Sequence, residues 1–159
     1  MKIEGVDLVR IDDRLIHGQV MTSWLNYIGA NKIMVIDDNV SEDPFLINML
    51  KNCIPGNIKL AVFSIEKAAD RLKRGFKNDH CIILVKYPNT LKLLMERGIV
   101  FDEINIGGMG ILTGRKKFYK NISVTDEEKE IFKSLISAGS RISIRIIAED
   151  NSTDISKLI

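Results

Sequence analysis

The stretch VRIDDRLIHGQVMTSW, residues 9–24, passes from an apolar segment through a cluster of charged residues into a helix-like pattern. Residues 5–11 are typical of a strand that begins just before it. Behind the cluster, apolar side chains recur at helical spacing, namely Val20, Met21, Trp24, Leu25 and Ile28. The charged cluster is therefore predicted to be the loop between a first strand and a first helix.

Farther along the chain, short apolar runs alternate with amphipathic segments. Further strands are predicted at residues 32–37, 59–64, 80–86, 102–106 and 141–149, the last as an edge strand with one wet face. Helices are predicted to begin at Pro44, to cover residues 65–75 and 89–98, and to run from a Thr125–Glu128 capping box to Gly139. Residues 115–124 are predicted to be a loop plus a short strand.

This alternation predicts an α/β fold in one domain, residues 1–159. The expected architecture is an open, mainly parallel twisted sheet with helices on both faces and an antiparallel or edge strand near the C-terminus. Ligands of such sheets bind beyond the carboxyl ends of the strands. The loop after the first strand is therefore the expected place for a functional site.

Composition and motifs exclude several functions. With 23 basic and 21 acidic residues, the net charge of +2 gives no global attraction for nucleic acid. No run approaches the roughly 18 apolar residues that span a bilayer, and the acidic N-terminal stretch is not expected to be a signal peptide. Cys53 and Cys81 stand among apolar neighbours, so both are expected to be buried, reduced thiols in the cytoplasm. Neither a metal site nor a nucleotide site has motif support.

The chemistry of the first loop is that of a phosphohistidine site. His17 lies just before a predicted helix start, where backbone amides favour an anion. Arg14 can present a planar fork to a phosphoryl group, and Gly18 lets the backbone approach a bulky ligand. A neutral imidazole then attacks phosphorus while Arg14 and the amides hold the phosphoryl oxygens.

The remaining polar residues of the loop have two interpretations. Asp12 or Asp13 could accept a proton from one ring nitrogen of His17 and fix its tautomer, or could instead pair with Arg14 or Arg10. In a purely structural alternative, His17 is bonded to a neighbouring carboxylate and the arginines form surface ion pairs. His80 is expected only to hydrogen-bond at the start of its strand.

The GGMG stretch that begins at Gly107 follows the fifth predicted strand, so it could lie beside the first loop. Arg115, Lys116 and Lys117 follow it. They fit an exposed basic turn, or a docking surface for an acidic partner or for the phosphate.

VRIDDRLIHGQV, followed by INIGGMG and GRKKFYKNISVTDEE, resembles the IIB subunits of the mannose/fructose/sorbose family of the bacterial phosphoenolpyruvate-dependent sugar phosphotransferase system. The likeness extends over essentially the whole chain. It implies the open sheet described above, with the active-site histidine on the first loop, which is His17 by match to the motif. It also implies that Arg14 contacts the phosphoryl group. Supporting residues are expected to be Asp12, Asp13, Arg10, Gly18, Gln19, Gly108 and Arg115.

In that family, the histidine takes a phosphoryl group from a phosphohistidine of IIA and passes it to a sugar held by the membrane subunits IIC and IID. The resemblance thus implies a protein-N(pi)-phosphohistidine–sugar phosphotransferase component, cytoplasmic, at the membrane through IIC and IID, without cofactor, metal or nucleic acid. A basic-rimmed docking face with apolar residues near Met21, Trp24 and Met109 is expected, although a core position is favoured for Trp24. The alternative is a non-catalytic module that binds an anion or a phosphoprotein. The sugar, a homo-oligomeric state and the phosphorylated ring nitrogen are left open.

Overall fold

Strands and helices alternate along the chain as the sequence predicts. The computed structural model describes residues 2–159, apart from the side chains of Gln19 and Val20. Its strands are β1 (Val6–Asp12), β2 (Lys32–Ile36), β3 (Lys59–Phe63), β4 (Cys81–Val85), β5 (Glu103–Gly108), β6 (Lys116–Tyr119), β7 (Ile122–Val124), β8 (Arg141–Ile144) and β9 (Thr153–Asp154). Its helices are α1 (Gly18–Ile28), α2 (Asp38–Ser41), α3 (Pro44–Asn52), α4 (Ile65–Lys73), α5 (Pro88–Glu96) and α6 (Asp126–Ser137), followed by the 3₁₀ turn Ile155–Lys157.

The main sheet has the spatial order β3-β2-β4-β1-β5-β8-β9. Its neighbouring strands pair in parallel, except that β9 pairs antiparallel with β8. The mainly parallel sheet with an antiparallel edge strand near the C-terminus is therefore confirmed. Because β1 lies between β4 and β5, the loop after β1 is flanked by the loops that follow these two strands.

Apolar side chains form a core on each face of the sheet, with helices on both sides. One core contains the apolar faces of α4, α5 and α6, and the other contains those of α1 and α3. Side chains of β1 alternate between them. Val9 and Ile11 enter the first core and Leu8 packs against the second, so Arg10 and Asp12 also face α1. Two charged residues thus occupy positions on the α1 side of a central strand.

Helix starts follow the predicted capping chemistry. Asp43 accepts a hydrogen bond from the Leu46 amide before Pro44, and Thr125 and Glu128 form the predicted capping box at α6. At the start of β4, the His80 amide donates to Asn31 and the imidazole contacts Asp7, which confirms the hydrogen-bonding role expected for His80.

Three local features differ from the sequence prediction. The short helix α2 was not predicted; it begins where Asp37 accepts from the Val40 amide at 2.9 Å. Residues 115–124 form a complete antiparallel hairpin, β6–β7, rather than a loop with one strand. The strand predicted over residues 141–149 ends at Ile144, because the carbonyls of Arg145 and Ile146 accept hydrogen bonds from the Arg10 side chain. Its outer edge is covered by β9.

The two cysteines lie in different environments. Cys81 is buried, and burial raises the pKa of its thiol to about 12. Cys53 is exposed, which contradicts the expectation that both are buried. The reason is the rotation of α3, which buries Leu50 and leaves Met49 and Cys53 toward solvent.

This difference predicts the thiol reactivity of the native protein. Because thiolate is the reactive form, Cys53 should react with a water-soluble disulfide reagent at neutral pH, and Cys81 only after unfolding. A spectrophotometric thiol count with and without denaturant tests this. Rapid native labelling of a Cys53→Ser variant would contradict the placement of Cys81.

Candidate functional site

The loop after β1 folds back over the end of its own strand. The Asp12 side chain accepts from the Arg14 amide at 3.0 Å, and the Asp12 carbonyl accepts from the Leu15 amide at 2.9 Å. Leu15 adopts a left-handed backbone conformation, with φ of 59°, and Leu15 and Ile16 are buried in the α1-side core. This tight turn, anchored by two apolar side chains, places His17 next to Asp12.

His17 occupies the N-cap position of α1 without a side-chain capping hydrogen bond, and its side chain is 19% exposed. Its Nε2 lies 2.8 Å from Oδ2 of Asp12, whereas Nδ1 has no hydrogen bond to any side chain or backbone group that the structure describes. The helix amides provide a partial positive charge beside the ring. The imidazole is therefore held through one nitrogen and remains partly exposed.

Asp12 is the buried carboxylate that holds this imidazole. Besides His17, it contacts Nη2 of Arg10 at 3.3 Å and Nε of Arg14 at 3.5 Å. Both arrangements considered from the sequence, a contact with the imidazole and an ion pair with an arginine, thus occur at Asp12. Because Arg10 and Asp12 are 0% and 1% exposed, solvent screens their ion pair weakly, whereas Arg14 is largely in water.

Arg10 lies in the protein interior, not on the surface. Its Nη1 donates to Asn105 at 2.7 Å and to the Arg145 carbonyl at 3.0 Å, and its Nη2 donates to the Ile146 carbonyl at 2.9 Å. The guanidinium also lies 5.4 Å from the centre of the Trp24 ring. Burial lowers the pKa of Arg10, and the Asp12 carboxylate opposes this effect. The surface ion pair of the structural alternative is therefore wrong for Arg10.

Gly107 and Gly108 make room for these two charged side chains. A Cβ atom on Gly107 would lie 1.9 Å from Cζ of Arg10, and one on Gly108 would lie 2.7 Å from Oδ1 of Asp12. Both distances are shorter than a van der Waals contact, so a side chain at either position would force Arg10 or Asp12 to move. The double glycine of β5 thus allows the Arg10–Asp12 pair to lie flat against the neighbouring strand.

Asp13 connects this loop to the one that follows β5. Its Oδ2 accepts from the Gly110 amide at 2.6 Å and from Nη1 of Arg115 at 3.0 Å. Arg115 also binds both carboxylate oxygens of Glu128 at 2.9 Å. Burial alone would lower the pKa of Arg115, but hydrogen bonds to Glu128 and Asp13 raise it above its usual value. Arg115 is buried and holds two loops to α6, whereas Lys116 and Lys117 are exposed at the start of β6, so the exposed basic turn is wrong for all three residues.

Comparison with known proteins gives the family. The profile of the PTS system sorbose subfamily IIB component matches residues 6–159. The chain belongs to this family.

Individual relatives agree with that assignment. The chain is 32% identical to the sorbose-specific EIIB component of Klebsiella pneumoniae over 151 residues, which is 94% of this chain and 92% of that protein. The crystal structure of an N-acetylgalactosamine IIB component from Streptococcus pyogenes superposes with a TM-score of 0.90 at 29% identity, with 100% of both chains covered. The mannose-specific EIIAB component of Escherichia coli is 29% identical over 91% of this chain, which covers 45% of that longer protein. This chain is thus a sugar-specific PTS IIB component of the phosphotransferase type.

Two cations of this IIB component follow the neighbouring strands β1 and β4 and have few contacts among the described residues. Arg14 is 58% exposed, and its only carboxylate contact among the described residues is Asp12. Lys86 follows β4, next to β1 in the sheet, and contacts only the Tyr87 ring, at 5.5 Å, within residues 2–159. Lys86 was not among the residues predicted from the sequence, because the position of β4 next to β1 depends on strand order. The one signal in the sequence was that Lys86 directly follows the apolar run of β4, where the carboxyl end of a buried strand is expected.

The apolar side chains expected on a docking face of the IIB component lie elsewhere. Met21, Trp24 and Met109 are all buried, so that expectation is wrong for their side chains, while the core position favoured for Trp24 is confirmed. The exposed apolar residues of this region are Ile111 and Leu112, in the loop after β5. Between residues 2 and 159, the structure holds neither a membrane-length apolar helix nor a cluster of His, Cys, Asp and Glu suited to a metal.

Gly18 and Gln19 are the last two of the supporting site residues predicted from the sequence. Gly18 has a positive φ of 39°, and a Cβ atom there would meet nothing within 4 Å. The positive φ, rather than a clash of a side chain, therefore favours glycine at this position. The expectation for Gln19 concerns a side chain that lies outside the described part of the structure.

The glycine packing yields a test by substitution. Gly107→Ala should lower the free energy of unfolding by about 1–3 kcal/mol or more, because the methyl group must displace the Arg10 guanidinium. Gly110→Ala is the matched control, since its Cβ atom would have only an ordinary 3.6 Å contact with Asp13. The control should stay within about 1 kcal/mol of the original chain. Urea titration measures both, and equal stability of the two variants would contradict the packing.

Proposed function

We propose that His17 carries a phosphoryl group between two partners. It accepts the group from a phosphohistidine of a IIA protein or domain and passes it to a sugar during uptake through membrane IIC and IID subunits. The observation that supports this most directly is an imidazole that the buried Asp12 holds at Nε2 and that stays partly exposed to solvent. A histidine that exchanges a group with other proteins needs both properties.

The geometry favours Nδ1 as the nucleophile. Because Nε2 lies against the Asp12 carboxylate, the ring's proton resides on Nε2 and the Nδ1 lone pair is free. In the transfer, the bond between phosphorus and the donor's nitrogen breaks as the bond to Nδ1 forms. The ring then carries positive charge, which Asp12 offsets. Asp12 therefore positions the ring and stabilises it without contacting phosphorus.

Positive charge around the ring stabilises the phosphoryl oxygens. Arg14, close to His17 in the same loop, supplies a planar fork, and the α1 N-terminus supplies backbone dipoles. Arg10 and Arg115 have a different role, because both are engaged in buried ion pairs. Arg10 positions Asp12, and Arg115 positions Asp13. Moderate stabilisation by one exposed arginine suits a group that must leave again.

Partners and location follow from the family. A IIA domain is joined to the IIB region in the Escherichia coli EIIAB relative, as its name states, so IIA is the proposed donor. We propose that the chain acts as one IIB domain in the cytoplasm and reaches the membrane through IIC and IID. Its activity is that of a protein-N(pi)-phosphohistidine–sugar phosphotransferase, with no cofactor of its own.

A phosphorylation experiment tests the role of His17. Incubation with phosphoenolpyruvate, enzyme I, HPr and a cognate IIA should add one acid-labile phosphoryl group, measured by intact mass. His17→Ala should abolish the gain, whereas His80→Ala, which alters the other of the two histidines, should retain it. Two-dimensional NMR of the phosphorylated ring should show the phosphorus on Nδ1.

Two results would overturn the proposal. Persistent label in His17→Ala would place the acceptor elsewhere. A stable complex with phospho-IIA that leaves His17 unmodified would instead indicate a non-catalytic module that binds phosphoproteins.

The role of Arg14 can be tested by substitution. Arg14→Ala should slow transfer by roughly 10- to 100-fold, because a charged donor to the phosphoryl oxygens is lost. The unfolding free energy should change by less than about 0.5 kcal/mol, since the side chain is exposed. Arg14→Lys should restore part of the rate, as it keeps the charge but not the fork.

Rapid-quench measurement of transfer from phospho-IIA gives the rates. Arg97→Ala removes another exposed arginine, at the end of α5, and serves as the control. Equal rates for Arg14→Ala and Arg97→Ala would remove Arg14 from the mechanism.

A further inference from the structure

The loop after β5 exposes two large apolar side chains. Ile111 is 90% exposed and Leu112 is 46% exposed. No other large apolar side chain among those described is as exposed as Ile111. Such a side chain gains little from folding, since it stays in water. Two adjacent ones at the edge of a functional site indicate a contact surface.

Hydrogen bonds fix the loop on both sides of this pair. On one side, the Gly110 amide donates to Asp13 at 2.6 Å. On the other side, the Arg115 amide donates to the Leu112 carbonyl at 3.0 Å, and the Arg115 guanidinium donates to the Gly110 carbonyl at 3.0 Å. A loop held in this way loses little conformational entropy when a partner covers it.

The loop lies beside the phosphoryl site. Gly108, which precedes it, pairs with Asp12 of β1, and Asp12 contacts His17. Asp13, which anchors the loop, follows Asp12 directly in the chain. A protein that brings its own phosphohistidine up to Nδ1 of His17 must therefore approach the rim that carries Ile111 and Leu112.

The charges around the pair identify the kind of partner. Arg14, Lys116 and Lys117 are exposed on the two segments that frame the pair. They favour a partner that presents negative charge around an apolar centre. A phosphorylated donor protein has such charge at its own active site, because the phosphoryl group itself is anionic.

We propose that Ile111 and Leu112 form the apolar contact on which the phosphorylated IIA donor docks. The inference rests on the proposed function of His17. In this arrangement, Ile111 and Leu112 enter an apolar depression of the donor, and the basic side chains face its acidic rim. The Arg115–Asp13 ion pair holds the docking loop at a fixed position relative to the imidazole.

The test is a double variant, Ile111→Ser with Leu112→Ser. Transfer from phospho-IIA to His17 should show a KM about 10- to 100-fold higher, as for the loss of a central apolar contact, with kcat changed by less than about 3-fold. The matched control is Phe45→Ser with Met49→Ser. It removes two exposed apolar side chains from α3, which follows β2, two strands from β1 in the sheet. Its KM should match that of the original chain.

A small donor separates docking from chemistry. Phosphoramidate can phosphorylate an exposed imidazole without a protein interface, so it should label His17 equally fast in the original chain and in both double variants. An unchanged KM in the Ile111/Leu112 variant, an equal rise in the control, or an equal loss with phosphoramidate would each overturn the docking proposal. Normal transfer from IIA combined with weakened sugar phosphorylation would assign the loop to the membrane subunits and also overturn it.

The proposed function can fail separately. If phospho-IIA and phosphoramidate both leave His17 of the original chain unlabelled, the phosphocarrier role itself is wrong. If His17 is labelled normally in every variant at unchanged KM, only the docking surface is wrong.

Discussion

The buried guanidinium of Arg10 is the constraint on which the site depends. A charged group in the core between β1 and α1 is costly unless its donors are satisfied. Four acceptors bind its two terminal nitrogens, namely Asn105 on β5, Asp12 on β1 and two backbone carbonyls after β8, while Nε is buried without a partner among the described residues. The indole of Trp24 covers it from α1. One side chain thereby connects two central strands, the end of a third and a helix.

This arrangement links the central strands of the sheet to the imidazole of His17. Arg10 holds Asp12, Asp12 holds Nε2 of His17, and Nδ1 has no hydrogen bond among the described residues. Asp13 holds the loop after β5 by its contacts with the Gly110 amide and with Arg115. Asp12 thus contacts the imidazole, and Asp13 contacts the loop after β5. Arg10 and Asp12 are buried, whereas the His17 side chain is partly exposed.

The sequence predicted the sheet, its helices and the loop that carries His17, because apolar periodicity and capping residues are local signals. It could not predict features that depend on strand register. The reason for Gly107 becomes visible only when β5 lies beside β1, since the side chain it accommodates is Arg10, far away in the chain. The same holds for Arg115, whose basic neighbours suggested a surface turn although its carboxylate partners come from distant segments. The exposure of Cys53 likewise depends on how α3 is rotated against the sheet, which the sequence does not show.

The small strand β9 has a consequence for solubility. Parallel sheets end in strands with unpaired backbone groups, and such edges can recruit strands of other molecules. By pairing antiparallel with β8, the two residues of β9 occupy part of one edge, and the adjoining 3₁₀ turn ends the extended backbone immediately. This pairing discourages self-association by strand addition at that end of the sheet. At the opposite edge, β3 begins with the charged Lys59, which disfavours the pairing of another strand there.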